Sequence, residues 1–168
     1  MALKSLEEKF IAGLGGIYDA EYRFSDALVQ MLDQATSQPV KTLLQQQMSE
    51  AKQQVGNLEQ VYDILSQIAE REKNDGAVGV VKEGQKLVEA AADSPALLEM
   101  AVMTSALKMK YYEIASYRGL VAEAQLLKQP EMAQLLRQNL RQEEQMAQRI
   151  EADMHLVLQQ TQGRAALA

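Results

Sequence analysis

The chain has 168 residues, 47% apolar and 24% charged, a composition that predicts one packed domain over residues 1–168 and argues against general disorder. It has no cysteine and a single histidine, His155, which excludes disulfide scaffolds, thiolate nucleophiles, Cys-ligated zinc, Fe–S clusters and any site needing two imidazoles from one chain. The formal charge is −6 with Lys and Arg scattered, so no basic stripe marks a nucleic-acid partner; no run nears the ~18 apolar residues of a membrane span, and charges interrupt the N-terminus before any signal-peptide core. A cytoplasmic protein with neither a nucleic-acid nor a membrane partner is expected.

Leu, Ala, Gln, Glu, Met and Lys dominate, which favours helix over strand. Pro39, Pro95 and Pro130 lie between long periodic segments and never inside one, as expected for a residue tolerated only in a helix's first turn. The first long helix is predicted over about 5–36, opened by the Ser-x-x-Glu capping box of Ser5 and Glu8. Phe10, Leu14, Ile17, Phe24, Leu28 and Leu32 form its apolar stripe, and Gly13, Gly15 and Gly16 imply either a close neighbouring backbone or a frayed first turn. The second is predicted over 40–73, with Leu44, Ala51, Val55, Leu58, Tyr62 and Leu65 inward and Glu70 to Lys73 as a solvated end.

Asn74-Asp75-Gly76 reads as a helix stop, and about twenty residues then precede the third long helix, including a weakly amphipathic segment at 80–92. That connector can cover roughly 45 Å, close to the length of the predicted helices, so it can cross the bundle end to end. The third long helix, 95–128, is the most apolar and should be the most buried; Asp93-Ser94 precede its N1 proline. The fourth, 131–162, carries Leu136, Leu140, Ala147, Ile150 and Met154, and Gly163 to Ala168 reads as a tail. Short links make two antiparallel hairpins, and the long link between them is the single crossover of ferritin-like bundles. The fold class is therefore all-α: a four-helix bundle whose crossover contains a short extra helix.

Two acids fall on stripes that ought to be apolar. Glu21 lies between Ile17 and Phe24, and Glu143 between Leu140 and Ala147. A buried carboxylate needs a cation, a hydrogen-bond partner or a proton. Glu50 and Glu113 offer one more carboxylate on each of the other two helices, and one acid per helix at similar height is the raw material of a two-metal centre. The Glu-x-x-His pairs of the complete centre are absent. The alternative is a metal-free network in which Lys110, three residues before Glu113, or Lys52 neutralises the acids, with Tyr18, Tyr22, Tyr112 and Tyr117 donating hydrogen bonds. His155 reads as a helix C-terminal histidine, and the nine methionines read as core filler.

The strings Ile17-Tyr18-Asp19-Ala20-Glu21 and Tyr112-Glu113-Ile114-Ala115-Ser116-Tyr117, with Ala35-Thr36-Ser37 and the stretch from Leu140 to Glu144, resemble the bacterial YciE/YciF stress-protein family of the ferritin-like superfamily. The resemblance runs over nearly the whole chain. It implies a ferritin-like bundle, a homodimer, a link to stress responses and no established reaction. It also implies that Glu21, Glu50, Glu113 and Glu143 match acidic positions of that family's metal centre, whereas Gln47, Lys110-Tyr111 and Ala147 stand where that pattern carries histidine or acidic ligands. Two readings follow. One is a stress-associated structural or interaction protein with a degenerate central site; the other is an oxidoreductase with an Fe or Mn pair held by the four glutamates and reacting with peroxide or oxygen.

Overall fold

The computed structural model describes residues 2–165, with side chains described as far as Val157. Five helices follow one another: α1 (Leu6–Gln34), α2 (Gln38–Ile64), α3 (Asp75–Ala90), α4 (Pro95–Leu126) and α5 (Pro130–Ala165), with no strand among the described residues. The four long helices pack in a ring in which α1 and α5 each touch α2 and α4. Cross-contacts fix their directions. Lys9 near the start of α1 pairs with Glu123 near the end of α4, and Thr36 at the end of α1 meets Glu99 at the start of α4. Gln54 and Asn57 of α2 meet Glu143 and Asn139 of α5 in reversed order. Ring neighbours are thus antiparallel and α2 and α4 run the same way, the one-crossover arrangement expected above.

Proline enters α2 and α4 in the first turn, and Ser5, Ser37 and Asn74 each accept a backbone N–H of the helix that follows. Ser94 occupies the N-cap of α4 without such a bond. The carboxylate of Glu8 turns to the N–H of Lys4, so the capping box at Ser5 is offset by one residue. Glu99, buried just past the first turn of α4, accepts the N–H and hydroxyl groups of both Thr36 and Ser37 at 2.6–2.9 Å. Those bonds tie the α1–α2 turn to α4 and hold the Glu99 carboxyl below its ordinary range, against burial, which alone would raise it. The core is continuous, with α4 contributing the most buried residues, as its sequence implies.

The second helix departs most from expectation. It stops at Ile64 and not at residue 73, because Ser66 adopts a left-handed conformation with φ of 53°. Gln67 N–H then donates to Tyr62 C=O and Ser66 N–H to Asp63 C=O, the two bonds of a Schellman motif. The same motif ends α4 at Leu126, with Lys128 at φ of 58°. Neither carries the glycine that would mark the stop in sequence. Ser66→Gly is expected to raise stability by about 0.5–1 kcal/mol by removing left-handed strain, measured by urea unfolding; a loss of stability would contradict this account of the stop.

Residues 67–74 have no helical structure and are tied to α1, so Glu70 to Lys73 is not a helix end. Glu72 N–H donates to Gly15 C=O at 3.1 Å, and a Cβ on Gly15 would lie 2.8 Å from Glu72 Cγ, so the glycine permits the approach. Tyr62 Oη donates to Glu70 C=O. Buried Asp19 accepts from Arg71, Arg23 and the N–H of Asn74, and the Arg71 guanidinium lies 4.8 Å from the centre of the Tyr22 ring. Asn74 is the N-cap that starts α3 and not the end of α2, and it receives Tyr112 Oη at 2.6 Å. Hence the crossover helix begins at Asp75, five residues before the expected 80, and ends at Ala90. It packs on α1 and α4. Asp19→Ala is expected to cost about 2–3 kcal/mol, since it leaves the part-buried Asn74 N–H and two guanidinium groups without their acceptor. Amide exchange should quicken first in residues 65–74; a uniform change over the whole chain would contradict local anchoring by Asp19.

The remaining boundaries differ by a few residues, except that α5 runs to Ala165. Gly163 to Ala165 are therefore helical, and the rest of the expected tail lies outside the described residues. His155 is exposed, well before the last turn of α5, so it does not sit at the helix end. No described helix is long and apolar enough to cross a membrane.

Candidate functional site

Halfway along the bundle the apolar core gives way to a sealed polar cluster contributed by all four long helices. Glu21 of α1, Lys110 and Glu113 of α4 and Glu143 of α5 are each no more than 2% exposed. Oxygen atoms of the three carboxylates lie within 4.8 Å of one another. Lys110 Nζ sits among them, 2.6 Å from Glu113 Oε2 and 2.8 Å from Glu143 Oε2. Lys110 and Glu113 share a face of α4 because they are three residues apart.

Polar side chains orient the acids. Tyr117 Oη donates to Glu21 Oε1 at 2.5 Å and accepts from Asn139 Nδ2 at 3.1 Å. Asn139 also donates to Gln54 C=O and accepts from Asn57 Nδ2 at 2.7 Å. Gln54 Nε2 donates to Glu143 Oε1 at 2.5 Å. Every member is at least nine-tenths buried, so the chain of bonds is shielded from water. Gln47, also buried on α2, has no partner for either amide atom among the described residues.

The electrostatics follow from three acids facing one cation. Burial, reinforced by Glu143, lifts the Glu21 carboxyl to about 8, even though Lys110 and Tyr117 favour its charged form. Burial and Glu143 likewise raise Glu113 well above the ordinary carboxylate range. Burial disfavours the charge on Lys110, but Glu113, Glu143 and Glu21 outweigh it and hold the ammonium form. Burial and Glu21 raise the Tyr117 phenol, which stays protonated. At neutral pH the Glu21 carboxyl is therefore mostly protonated, while the Lys110 ammonium stays charged between Glu113 and Glu143.

The four glutamates of the sequence reading do not all meet. Glu50 is half-buried and accepts from Gln46 at 2.8 Å, outside the three-carboxylate group. Gln54, one turn further on, takes the inward place on α2. Gln54 and Asn57 have the i, i+3 spacing at which metal-binding bundles carry Glu-x-x-His, but both are neutral amides. Of the residues expected in the polar network, Lys110 and Tyr117 enter it. Tyr18 instead donates to Glu59 at 3.0 Å, and Tyr112 caps the crossover through Asn74. Lys52 is exposed. Asn139, Gln54 and Asn57 escaped the sequence reading, although each is a polar residue on an otherwise apolar stripe.

This donor set does not fit a two-metal centre. The cluster offers three carboxylates and no imidazole, its α2 position is an amide, and an ammonium group occupies the space between two of the acids. A groove of about 1080 Å³ lies at the bundle end between Thr36, Pro39, Leu43, Pro95, Met103 and Leu156, and none of the cluster residues lines it.

Fold and site together define an all-α bundle of the one-crossover, ferritin-like kind with a lysine-filled carboxylate core. The chain belongs to the DUF892 family, a domain of unknown function whose model matches residues 5–163. It is 26% identical over 144 residues to protein YciF of Escherichia coli K12, covering 85% of this chain and 86% of that one. The crystal structure of the E. coli stress protein YciF superposes with a TM-score of 0.88 at 23% identity, over 94% of this chain and 99% of that one. YcfI from Rhodopseudomonas palustris, for which a structural role is suggested, gives 0.86 at 28% identity over 88% of this chain and 94% of that one.

Proposed function

We propose that this protein is a stress-associated structural or interaction protein, cytoplasmic and homodimeric, whose central site is neutralised by Lys110 and holds no metal pair. The observation that carries this reading is the Lys110 ammonium lying 2.6 and 2.8 Å from two buried carboxylates, which assigns those oxygens to a resident cation. Buried charges persist only when paired or coordinated, and here the pairing partner belongs to the chain itself. Kinship with a stress protein, and a structural neighbour with a suggested structural role, support the same direction. The working surfaces would then be the exposed helix faces and the bundle ends.

The reading is tested by metal analysis of untagged protein expressed in medium supplemented with iron and manganese. Mass spectrometry should find far less than one equivalent per chain, with peroxide consumption at the level of buffer. About two equivalents per chain would overturn it and restore the carboxylate oxidoreductase, with Glu21, Glu113 and Glu143 as ligands.

A further inference from the structure

We propose that the outward face of α4 is the contact between two copies of this chain, the two α4 helices running antiparallel about a two-fold axis that passes between Tyr111 and Tyr112. This rests on the homodimeric reading above and names the surface that carries it. A surface helix of a bundle divides into an apolar and a polar face, but α4 is apolar nearly all the way round. Its inward residues fill the core, which leaves a second apolar stripe on the outside. Leu97, Met100, Tyr111, Ala115, Ala122 and Leu126 fall within about 80° of arc on that side. Leu97, Tyr111 and Leu126 are 60%, 50% and 71% exposed. Lys108 and Arg118 interrupt the stripe, and each is already paired within its own chain, with Glu83 of α3 and Glu144 of α5 at 2.7 Å. Tyr111 Oη likewise donates to Glu151. Covering the stripe therefore strands no charge.

The shape of the face selects a second copy in this register. α3 lies beside only half of α4: Tyr112 meets Asn74 at its start, Lys108 meets Glu83, and Ser105 borders Gly84. It forms a ridge along the first half of α4 and leaves the second half open on that side. Lys108 turns towards α3 and Arg118 towards α5, so helical spacing places Ala115 and Gly119 on the open side, with Ala122 between the two directions. These residues are small, and a Cβ on Gly119 would meet only a side-chain oxygen of Glu123, at 3.9 Å. The two-fold axis sets Leu97 against the partner's Leu126 and Lys108 against the partner's Ala115. It also lays each α3 ridge over the open half of the other copy, where Leu87, one turn after Glu83, reaches the partner's Gly119. Large groups then meet small ones in both directions, as an isologous contact requires. From Leu97 to Leu126 the stripe is ~44 Å long and, with its α3 and α5 flanks, about 20 Å wide, on the order of 800 Å² per copy, which is what a stable dimer buries.

The test is sedimentation equilibrium on the full-length protein and on Ala115→Glu and Ala122→Glu, both at exposed positions where a carboxylate leaves the fold intact. The unmodified protein should be a dimer, and each variant should dissociate about a hundredfold more readily with its helical circular dichroism unchanged, because the two-fold buries two new charges at once. The chain has no cysteine, so a single thiol reports the register directly. Tyr111→Cys, beside the axis, should be joined to its partner copy by a short bis-maleimide, whereas Gln53→Cys on exposed α2 should not. A dimer that persists in both glutamate variants, or thiol cross-linking that is no better at position 111 than at 53, overturns this face and leaves the homodimeric reading standing. An unmodified protein that stays monomeric at ~100 μM overturns both.

Discussion

Lys110→Ala is expected to be the most damaging single substitution in the chain, lowering stability at neutral pH by about 3–5 kcal/mol. The side chain is buried, its ammonium pairs with Glu113 and Glu143, and no other cation lies within the described cluster. Removing it leaves the buried carboxylates without their cation, while the lost aliphatic stem leaves a cavity. At roughly 2–4 °C per kcal/mol for a chain of this size, the melting temperature should fall by about 6–20 °C. The deficit should shrink toward pH 5, where the acids accept protons more readily. An unchanged melting temperature at pH 7 would mean that the pairing contributes nothing.

Stability should fall as pH rises from about 4.5 to 8. The unfolded chain releases the Glu21 proton near 4.5, whereas the native cluster keeps it to about 8. Between those values the native state binds more protons, so each step up in pH favours unfolding. At about 1.4 kcal/mol per pH unit the effect amounts to as much as ~5 kcal/mol across the window, and Glu113, shifted in the same direction, adds to it. Lys110, whose folded value is raised, contributes fully over this range and loses its contribution only in strong alkali. Asp19 and Glu99 act oppositely: their carboxyls are lowered by hydrogen bonds that outweigh burial, and their contribution is lost in acid, below about 4. A stability maximum near pH 5 is therefore expected, with Glu21→Gln flattening the alkaline slope. Melting temperatures that climb from pH 5 to 8.5, or a variant with an unaltered slope, would contradict this balance.

Much of the architecture was legible in the chain because its signals are local. Proline placement and apolar periodicity located the long helices, and the unequal connections set their directions. Glu21 and Glu143 were identifiable because each interrupts an apolar stripe. Lys110 was identifiable because its spacing from Glu113 places both on one face of the same helix. These conclusions need only the geometry of a single helix.

The tertiary structure decided what depends on two segments at once. Glu50 and Gln54 differ by one turn, about 6 Å along α2 and 40° around it, and the sliding register of α2 against α5 selects Gln54. Periodicity within one helix carries no information about that register. The stop at Ser66 is equally silent, since a serine in a left-handed conformation is held by the contacts of residues 65–74 with Gly15, Asp19 and Tyr62 and not by its own preference. Tyr112 reads as a core donor until the crossover brings Asn74 to it. The chain by itself determined its helices, their directions and the acids that face inward. Packing determined which neighbours those acids meet, because burial and partner distance arise only when separate helices come together.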